Sequence, residues 1–410
     1  MTGQQATQLA TQTAAKRSAR SQRPSLGAVR RGFAPWENPS AKPFIEFRNV
    51  TKRFGKAVAV DDLSLKIYER EFFCLLGPSG CGKTTLMRML AGFESPTSGE
   101  VWLDGQNLSA VPPHRRPVNM MFQSYALFPH MSVANNVAFG LRQAGPGERM
   151  SKHAIAQRVD EMLALVKLQD FGARKPHQLS GGQRQRAALA RALAPQPKVL
   201  LLDEPLGALD KKLREETQYE LADLQESLGL TFIVVTHDQE EAMTMADRIA
   251  VMRSGAVDQI ATPAELYEEP GSRSVAEFVG SINILEGTVS SISQGSVTLD
   301  GPNGQLIVNH PDHKPQPQVG ATAWVAVRPE KLDIVRLGED GPAPAANCIE
   351  GEVWDIGYLG DMTLYNVRTK SGTNARASIL NRSRTVHNPL TWEETVRLTF
   401  PPAAGTLLLS

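Results

Sequence analysis

The chain has 410 residues, 41% of them hydrophobic and 21% charged, so we expect two or three globular domains. Its formal net charge of +1 indicates neither nucleic acid nor an anionic bilayer as a partner. Its three cysteines, Cys74, Cys81 and Cys348, form no C-x-x-C pair, which argues against a disulfide framework or a zinc site and favours a reducing cytoplasm. No apolar run approaches the ~20 residues that span a bilayer, and no signal-peptide pattern opens the chain, so any membrane association is expected to depend on partners.

Residues 1–43 are predicted to form a disordered, basic tail. The stretch is rich in Gln, Thr, Ser and Ala, and it has too little apolar surface to offset the chain entropy lost on folding. Against the single acidic residue Glu37 stand the basic residues Lys16, Arg17, Arg20, Arg23, Arg30, Arg31 and Lys42. Weak contact with acidic lipid headgroups is the alternative to a purely solvated tail.

From residue 44 the pattern changes to short strands and then to a glycine-rich motif. Residues 44–47 and 63–67 alternate apolar and polar positions, and residues 72–76 form an apolar run, all typical of strands. The motif that follows is G-x-x-x-x-G-K-T, and a helix is predicted from Thr85. The motif reads Gly77-Pro78-Ser79-Gly80-Cys81-Gly82-Lys83-Thr84.

This loop predicts that the chain binds a nucleoside triphosphate. Glycines let successive backbone N–H groups surround a phosphate chain, and a helix N-terminus adds a positive field. Lys83 is expected to reach the β- and γ-phosphates and Thr84 to ligate Mg²⁺, with Thr85 also near the nucleotide. The alternative is a glycine-rich turn without a ligand, and the loop alone does not separate kinases, GTPases and transport ATPases.

Cys81 lies inside the loop beside a helix N-terminus, an environment that activates thiols. Two interpretations remain open: a small residue that fills the loop, or a reactive thiol. We hypothesise that alkylation of Cys81 blocks ATP binding and that bound ATP protects it.

Three helices are predicted between the later strands. A segment opened by Ser151 has apolar residues at helical spacing, and we interpret this stripe as core rather than recognition surface. A second helix is predicted over 182–193 and a third over 211–228. The stripe consists of Ile155, Val159, Met162, Leu163 and Val166.

Two continuous apolar runs, 199–202 and 232–235, are typical of parallel strands covered on both faces. Asp203 and Glu204 follow the first run, where ligands of parallel sheets bind. We expect Asp203 to hold Mg²⁺ and Glu204, pointing the other way, to polarise the attacking water. His237 follows the second run and is expected near the γ-phosphate or the water, although a structural histidine or a surface acidic pair would show the same pattern.

A second anion-binding arrangement lies at Ser180-Gly181-Gly182-Gln183, a serine and two glycines at a helix start. A single nucleotide needs only one phosphate loop. With this L-S-G-G-Q segment, the loop and the D-E strand together, residues 44–280 resemble the ATP-binding cassette (ABC) ATPases. The resemblance implies an α/β P-loop NTPase cassette, with a mixed or parallel sheet and a helical subdomain at about 124–195.

The resemblance also implies roles for individual residues. In a head-to-tail homodimer, Ser180, Gly181, Gly182 and Gln183 of one subunit would close over the ATP held by the loop of the other. Gln123 matches the glutamine that contacts Mg²⁺ or water and senses the membrane partner, and His237 matches the switch histidine. Ala208-Leu209-Asp210 matches the loop that joins the two sites, and Phe54 matches the aromatic that stacks on adenine.

Beyond residue 280, short alternating segments separated by turn residues predict a small all-β domain, 281–410. The segments include 297–299, 324–327 and 363–367. This domain resembles the OB-like (TOBE-type) accessory domain of importer ATPases, with residues 277–283 as the junction and Val327-Arg328-Pro329-Glu330 as its typical turn.

An importer ATPase would work with two integral-membrane permease subunits and, indirectly, an external solute-binding protein, at the cytoplasmic face of the inner membrane as a peripheral subunit. No nucleic-acid partner is expected. The surface that receives the permease is expected at 124–140, where Tyr125, Phe128 and Phe139 are either contact residues or core.

Residues 116–131 and 238–246 resemble polyamine importers, putrescine importers in particular, and 358–361 with 370–372 agree. Another importer cargo (iron, sugar or sulfate) and a non-transport, ATP-dependent regulatory switch stay open as alternatives. A polyamine sensor in the β domain is a further possibility against ordinary solvated turns. Its residues would be Glu350, Glu352, Asp355 and Asp361 near Trp354 and Tyr358.

Overall fold

The structure is a computed structural model, which describes residues 32–143, 150–207, 209–311, 314–338, 347–385 and 388–410. Most of the predicted tail, and Ala208, lie outside these residues. The described end of the tail segment includes a 3₁₀ turn, Pro35–Glu37, and the Trp36 ring centroid lies 4.7 Å from the Arg248 guanidinium carbon. The domain boundaries at 43/44 and 280/281 stay a prediction.

Strands and helices alternate through the first two thirds of the chain. The strands there are β1 (Ile45–Phe54), β2 (Ala57–Ile67), β3 (Phe72–Leu76), β4 (Ser98–Leu103), β5 (Gln106–Asn107), β6 (Val118–Met121), β7 (Val199–Asp203), β8 (Thr231–Thr236), β9 (Arg248–Arg253) and β10 (Ala256–Ala261). The helices of the described residues are α1 (Lys83–Ala91), α2 (Val133–Arg142), α3 (Lys152–Leu165), α4 (Gly181–Leu193), α5 (Lys211–Leu228), α6 (Gln239–Met245), α7 (Pro263–Glu268) and α8 (Arg273–Phe278). None of these helices is both long and apolar enough to cross a membrane.

Two sheets form the frame of this part. One is antiparallel, in the order β2-β1-β4-β5, and the other has the order β10-β9-β3-β8-β7-β6. In the second sheet β9, β3, β8, β7 and β6 run parallel, and only β10 pairs antiparallel. The mixed α/β architecture expected from the sequence is therefore confirmed.

The central strand β3 separates two cores, as its fully apolar sequence predicts. Phe72, Cys74 and Leu76 face one core, which includes the helices α2 to α6. Phe73 and Leu75 face the other, which holds α1 between the two sheets. Strand side chains alternate between faces, so this one strand anchors both layers and holds the loop that follows it in place.

The helices agree with the sequence predictions, with small differences at their first residues. Helix α5 has the predicted bounds, whereas α4 begins at Gly181 rather than 182 and α1 begins at Lys83 rather than Thr85. The predicted stripe on α3 packs in the core, with Val159, Met162 and Leu163 buried and Ile155 partly buried. Helix starts are set by capping geometry, which sequence periodicity locates only to one or two residues.

The last third of the described chain contains two antiparallel sheets that share one core. Their orders are β13-β12-β11-β14-β20 and β15-β19-β16-β17-β18. The strands are β11 (Asn283–Ser293), β12 (Ser296–Gly301), β13 (Gly304–Asn309), β14 (Thr322–Val327), β15 (Asp333–Arg336), β16 (Asn347–Tyr358), β17 (Met362–Thr369), β18 (Asn374–Leu380), β19 (Thr395–Phe400) and β20 (Gly405–Leu408). The predicted all-β domain is thus confirmed.

Arg328 joins this β region to the helices before it. Its side chain is 3% exposed and donates to the carbonyl oxygens of Tyr267 at 2.9 Å and Ser281 at 3.1 Å. The guanidinium also stacks 3.9 Å from the Tyr267 ring centroid, and the Tyr267 hydroxyl donates to Glu330. The predicted Val-Arg-Pro-Glu turn is therefore one of the contacts between the two parts of the chain.

Candidate active site

The glycine-rich segment forms a tight loop between β3 and α1. Gly80 and Gly82 have φ of +80° and +105°, which L side chains rarely adopt. A Cβ at Gly82 would lie 2.3 Å from the Ala59 carbonyl oxygen, whereas a Cβ at Gly80 would meet no atom within 4 Å. The loop is thus pressed against the fold on one side and open on the other, as a phosphate cradle requires.

Lys83 opens α1 and turns its side chain back over this loop. Its Nζ donates to the carbonyl oxygens of Gly77 at 2.6 Å and Pro78 at 2.9 Å, and the residue is 5% exposed. A buried ammonium requires compensating partners. The lysine is therefore held at the loop, where it can exchange backbone oxygens for phosphate oxygens.

Thr84 and Asp203 bring a hydroxyl and a carboxylate together from elements 119 residues apart. Thr84 Oγ1 donates to Asp203 Oδ1 at 3.3 Å. Burial raises the pKa of the Asp203 carboxyl, and the Thr84 hydrogen bond opposes that shift. These hard oxygen donors suit Mg²⁺, which typically takes one or two carboxylates and completes its shell with phosphates and water. Across the described residues no group of three or more His, Cys, Asp or Glu side chains forms a metal site by itself.

Glu204 is the point where the three predicted catalytic side chains meet. Its Oε2 accepts a 2.7 Å hydrogen bond from Gln123 Nε2, and its Oε1 lies 3.1 Å from His237 Nδ1. The backbone of Glu204 has φ +46°, and its N–H donates to the Val235 carbonyl at 2.9 Å. A glutamate with a left-handed backbone at the end of a buried strand is strained, so the surrounding structure must hold it in that conformation.

These three side chains line a cavity of about 100 Å³. It opens beside the ends of β6, β7 and β8, the edge at which ligands of parallel sheets bind. A carboxylate, an amide and an imidazole around a small cavity can orient and deprotonate one water molecule.

The chain matches two protein-family models and is similar to known transport proteins over most of its length. A family model described as ABC transporter matches residues 60–207, and one described as TOBE domain matches residues 325–408. The putrescine transport ATP-binding protein PotG of Escherichia coli (strain K12) is 53% identical over 366 residues, 87% of this chain and 92% of PotG. The chain belongs to the ATP-binding cassette ATPases. It is therefore an ATP-binding protein of the transporter family.

Two further comparisons are with a second import protein and with a solved structure. The spermidine/putrescine import ATP-binding protein PotA of Rubrobacter xylanophilus is 56% identical over 328 residues, 80% of this chain and 84% of PotA. A solved dimeric ATP-binding cassette, in a post-hydrolysis state with ADP and phosphate, is 34% identical, with a TM-score of 0.48, and covers 53% of this chain and 98% of that chain.

The L-S-G-G-Q segment, residues 179–183, is called here the signature segment, and its Ser180 is the N-cap of helix α4. Ser180 Oγ accepts from Gln183 N at 3.3 Å, and Gln183 Oε1 accepts from Ser180 N at 2.9 Å. Gly182 packs under Leu213, where a Cβ would lie 3.1 Å from a leucine methyl carbon. Among the described residues neither Ser180 nor Gln183 donates or accepts a side-chain hydrogen bond at residues 77–84 of its own chain. Within one copy, the described side chains of Ser180 and Gln183 therefore bond to each other's backbone N–H groups.

Asp210 lies at the start of helix α5, and Phe54 lies at the end of strand β1. Asp210 caps α5, with Oδ1 accepting from Leu213 N at 3.0 Å. Phe54 ends β1 with 49% of its surface exposed, and the Lys52 ammonium lies 4.7 Å from its ring centroid. An exposed ring backed by a cation can present a face to a base. Thr85 lies in the first turn of α1 and is half-buried.

A polar network behind His237 escaped the sequence analysis. Thr236 Oγ1 donates to Glu241 at 2.7 Å, and Arg214 Nη1 donates to Asp238 at 2.9 Å. Arg214 Nη2 also donates to the Leu209 carbonyl at 3.2 Å. The network joins the His237 turn to the start of α5, and only the Asp-x-x-Glu cap of α6 could have signalled it from sequence.

The structure gives the burial of the expected permease-contact residues and the partners of two acidic residues of the possible polyamine sensor. Tyr125 is 6% exposed and belongs to the core, while the tilted rings of Phe128 and Phe139 are half-buried, with their centroids 4.6 Å apart. In the β domain, Glu350 pairs with Lys370 and Asp355 accepts from Asn366. The core interpretation therefore holds for Tyr125, and two of the proposed sensor carboxylates already have protein partners.

Proposed function

We propose that this cassette ATPase hydrolyses ATP to energise import of polyamines, with putrescine as the principal cargo. The observation that carries the proposal is the relationship to PotG, whose name states putrescine transport and which aligns over 87% of the chain. The alignment is too long to be limited to the cassette, since it includes most of the β domain as well. The cargo class follows from that whole-length relationship rather than from the ATP site.

The nucleotide would lie in the loop of Gly77 to Thr84. Backbone N–H groups at the start of α1 and the Lys83 ammonium are suited to the β- and γ-phosphates. The open space above Gly80 supports this placement. Phe54, at the end of β1, is the proposed stacking surface for adenine.

Thr84 and Asp203 would hold Mg²⁺, with Gln123 as a third oxygen donor. When bound, the ion neutralises charge on the phosphate oxygens and orients them. The hydroxyl and the carboxylate are already within 3.3 Å of one another. The amide nitrogen of Gln123 is engaged by Glu204, so its oxygen is the atom suited to the ion.

Glu204 is the proposed general base for the attacking water. It would take a proton as the water oxygen bonds to the γ-phosphorus, while the bond from that phosphorus to the bridging oxygen of ADP breaks. His237, 3.1 Å from the carboxylate, would keep that carboxylate oriented and face the γ-phosphate. Gln123 holds the other carboxylate oxygen.

A homodimer would complete each site. Ser180, Gly181, Gly182 and Gln183 start a helix, so their N–H groups and dipole favour an anion. In a head-to-tail dimer they would face the nucleotide of a second copy, and Asp210 would lie where the two sites communicate. Two permease subunits at the cytoplasmic face of the inner membrane, fed by an external solute-binding protein, are the remaining proposed partners.

Transport measured in the source cells tests this function. Uptake of labelled putrescine would be compared between cells whose sole copy is wild type and cells whose sole copy carries Glu204→Gln, with spermidine and an iron chelate as competitors. Loss of putrescine uptake, with competition by spermidine but not by the chelate, is the expected result. Intact putrescine uptake with loss of another solute would reassign the cargo, and no transport defect at all would favour a regulatory switch.

A further inference from the structure

The segment that follows Gln123 has an unusual backbone. Tyr125 and Ala126 are consecutive residues with φ of +60° and +45°. This left-handed region is disfavoured for residues with a Cβ, and a bulky residue there is an outlier. Such a conformation persists only where the surrounding structure holds it.

One side chain from helix α4 contacts both strained residues. Arg191 Nη1 donates to the Ala126 carbonyl at 2.7 Å, and Arg191 Nη2 donates to the Tyr125 carbonyl at 3.1 Å. Two parallel N–H groups of a planar guanidinium fix the directions of both carbonyls together. The same guanidinium lies 5.6 Å from the Phe128 ring centroid.

The far end of the segment is fixed separately. Asn136 of α2 is fully buried, its Oδ1 accepts from Phe128 N at 2.8 Å, and its Nδ2 donates to the Ser132 carbonyl at 3.0 Å. The segment that follows Gln123 is therefore held at residues 125 and 126 by Arg191 and at Phe128 by Asn136. Any change in its backbone must shift Gln123 or break the Arg191 contacts.

The Tyr125 side chain makes no hydrogen bond of its own that would hold the strained backbone. The ring is buried, and its hydroxyl oxygen has no hydrogen-bond partner in the described part of the chain. Burying a hydroxyl without a partner is itself unfavourable. Within the described residues, Arg191 is thus the side chain whose hydrogen bonds directly favour the left-handed pair.

We propose that Arg191 is a positioning residue for Gln123: it holds residues 125 and 126 in their strained conformation and so presents the Gln123 amide to Glu204. The inference rests on the proposed function, because it takes Gln123 and Glu204 to serve ATP hydrolysis. Arg191 lies on the helix that Ser180 caps. Its two bonds therefore join the helix of the signature segment to the catalytic carboxylate through one short segment.

The test is steady-state ATP hydrolysis by the purified full-length chain. Arg191→Met is expected to lower kcat about tenfold or more, because small displacements of positioning groups are costly, while KM for ATP stays within about twofold, because the phosphate loop is untouched. Arg191→Lys should keep an intermediate kcat, since one ammonium cannot reproduce the paired bonds. Arg158→Met is the matched control: Arg158 also donates to two carbonyl oxygens at the end of α4, those of Ala194 at 3.1 Å and Leu193 at 3.4 Å, and its loss should leave kcat unchanged.

A rescue experiment separates positioning from mere folding. Glycine adopts positive φ freely, so Ala126→Gly should have near-wild-type kcat alone and should restore most of the activity of Arg191→Met in the double variant. A purely structural role for Arg191 would instead lower the thermal stability and would not be rescued by glycine. Wild-type kcat in Arg191→Met, or a double variant no better than the single one, would overturn the inference.

Gln123→Ala, measured beside them, shows which proposal has failed. A reduced kcat in Gln123→Ala with wild-type kcat in Arg191→Met contradicts only the positioning role. Wild-type kcat in Gln123→Ala contradicts the role proposed for Gln123 itself and overturns the inference with it.

Discussion

The Gln123 amide nitrogen donates a 2.7 Å hydrogen bond to Glu204 Oε2, although the two residues lie 81 positions apart in the sequence. The other carboxylate oxygen lies 3.1 Å from His237 Nδ1. Both oxygens of the proposed base are therefore oriented by side chains that follow different strands of the parallel sheet. Such preorganisation lowers the cost of ordering the base during the reaction.

Lys83→Ala is expected to weaken ATP binding. The variant removes the buried ammonium over the phosphate loop, and hydrogen bonds to charged groups are strong enough that the Kd for ATP should rise about 10- to 100-fold. Titration with a fluorescent ATP analogue measures this. Lys198→Ala is the control, since Lys198 pairs with Asp104 on an exposed surface. An unchanged Kd for Lys83→Ala would contradict the placement of the nucleotide.

Asp203→Asn should stabilise the nucleotide-free chain while reducing hydrolysis about 100-fold or more. Burial raises the pKa of Asp203 above its ordinary value, so the native state binds this proton more tightly than the unfolded state does. Its contribution to stability is therefore largest at low pH and is lost as pH rises through the native pKa. An asparagine keeps the acceptor for Thr84 without the buried charge.

Thermal unfolding across pH checks this prediction. The melting temperature of Asp203→Asn should exceed that of the wild type at pH 7, and the gap should narrow as pH falls towards the raised pKa. Asp104→Asn, at an exposed position, should show no such pattern. A lower melting temperature for Asp203→Asn at pH 7 would show that the charged carboxylate stabilises the fold.

Composite sites predict complementation between two inactive variants. In a mixed dimer, Lys83→Ala disables the phosphate loop of one copy, and Ser180→Arg disables the helix start of the other copy. Both changes then fall in the same site, so the second site of the dimer stays intact. Mixing the two should recover roughly a quarter of the wild-type hydrolysis rate, since half the dimers are mixed and each has one of two sites. A mixture of Lys83→Ala with Glu204→Gln should recover no hydrolysis. Each of these changes disables the site at the phosphate loop of its own copy, so neither site of the mixed dimer is intact. Equal rates in the two mixtures would exclude the head-to-tail arrangement.

Cys81 offers a probe of the loop in solution. The thiol is 4% exposed, and its sulfur lies 3.6 Å from Lys83 Nζ, so we expect slow alkylation that blocks ATP binding. The Cys348→Ser variant removes the exposed cysteine. In that variant, saturating Mg-ATP should slow the alkylation of Cys81 at least about fivefold, because bound nucleotide stabilises the folded phosphate loop. The Cys81→Ser, Cys348→Ser chain reports the background labelling. Equal alkylation rates with and without Mg-ATP would show that Cys81 does not report on nucleotide.

Local sequence signals predicted the helix bounds and the phosphate loop, whereas contacts between residues far apart in the sequence could not be predicted. The bounds of α5 follow from Asp210 as its cap and Gly229 as its left-handed end, and the phosphate loop follows from glycine spacing. The Arg191 contacts with Tyr125 and Ala126, and the Arg214 contacts with Asp238 and Leu209, depend on how elements pack, and no short sequence pattern records them. The left-handed pair after Gln123 was also unpredictable, because neither Tyr nor Ala favours that conformation.

The most direct measurement is ATP binding and hydrolysis by the purified chain with Glu204→Gln beside the wild type. Glutamine keeps the size of the side chain but cannot take a proton, so we predict that kcat falls about 100- to 10,000-fold while ATP binds as before and accumulates in a closed dimer. Undiminished hydrolysis by Glu204→Gln would contradict the account, because the water would then have another base.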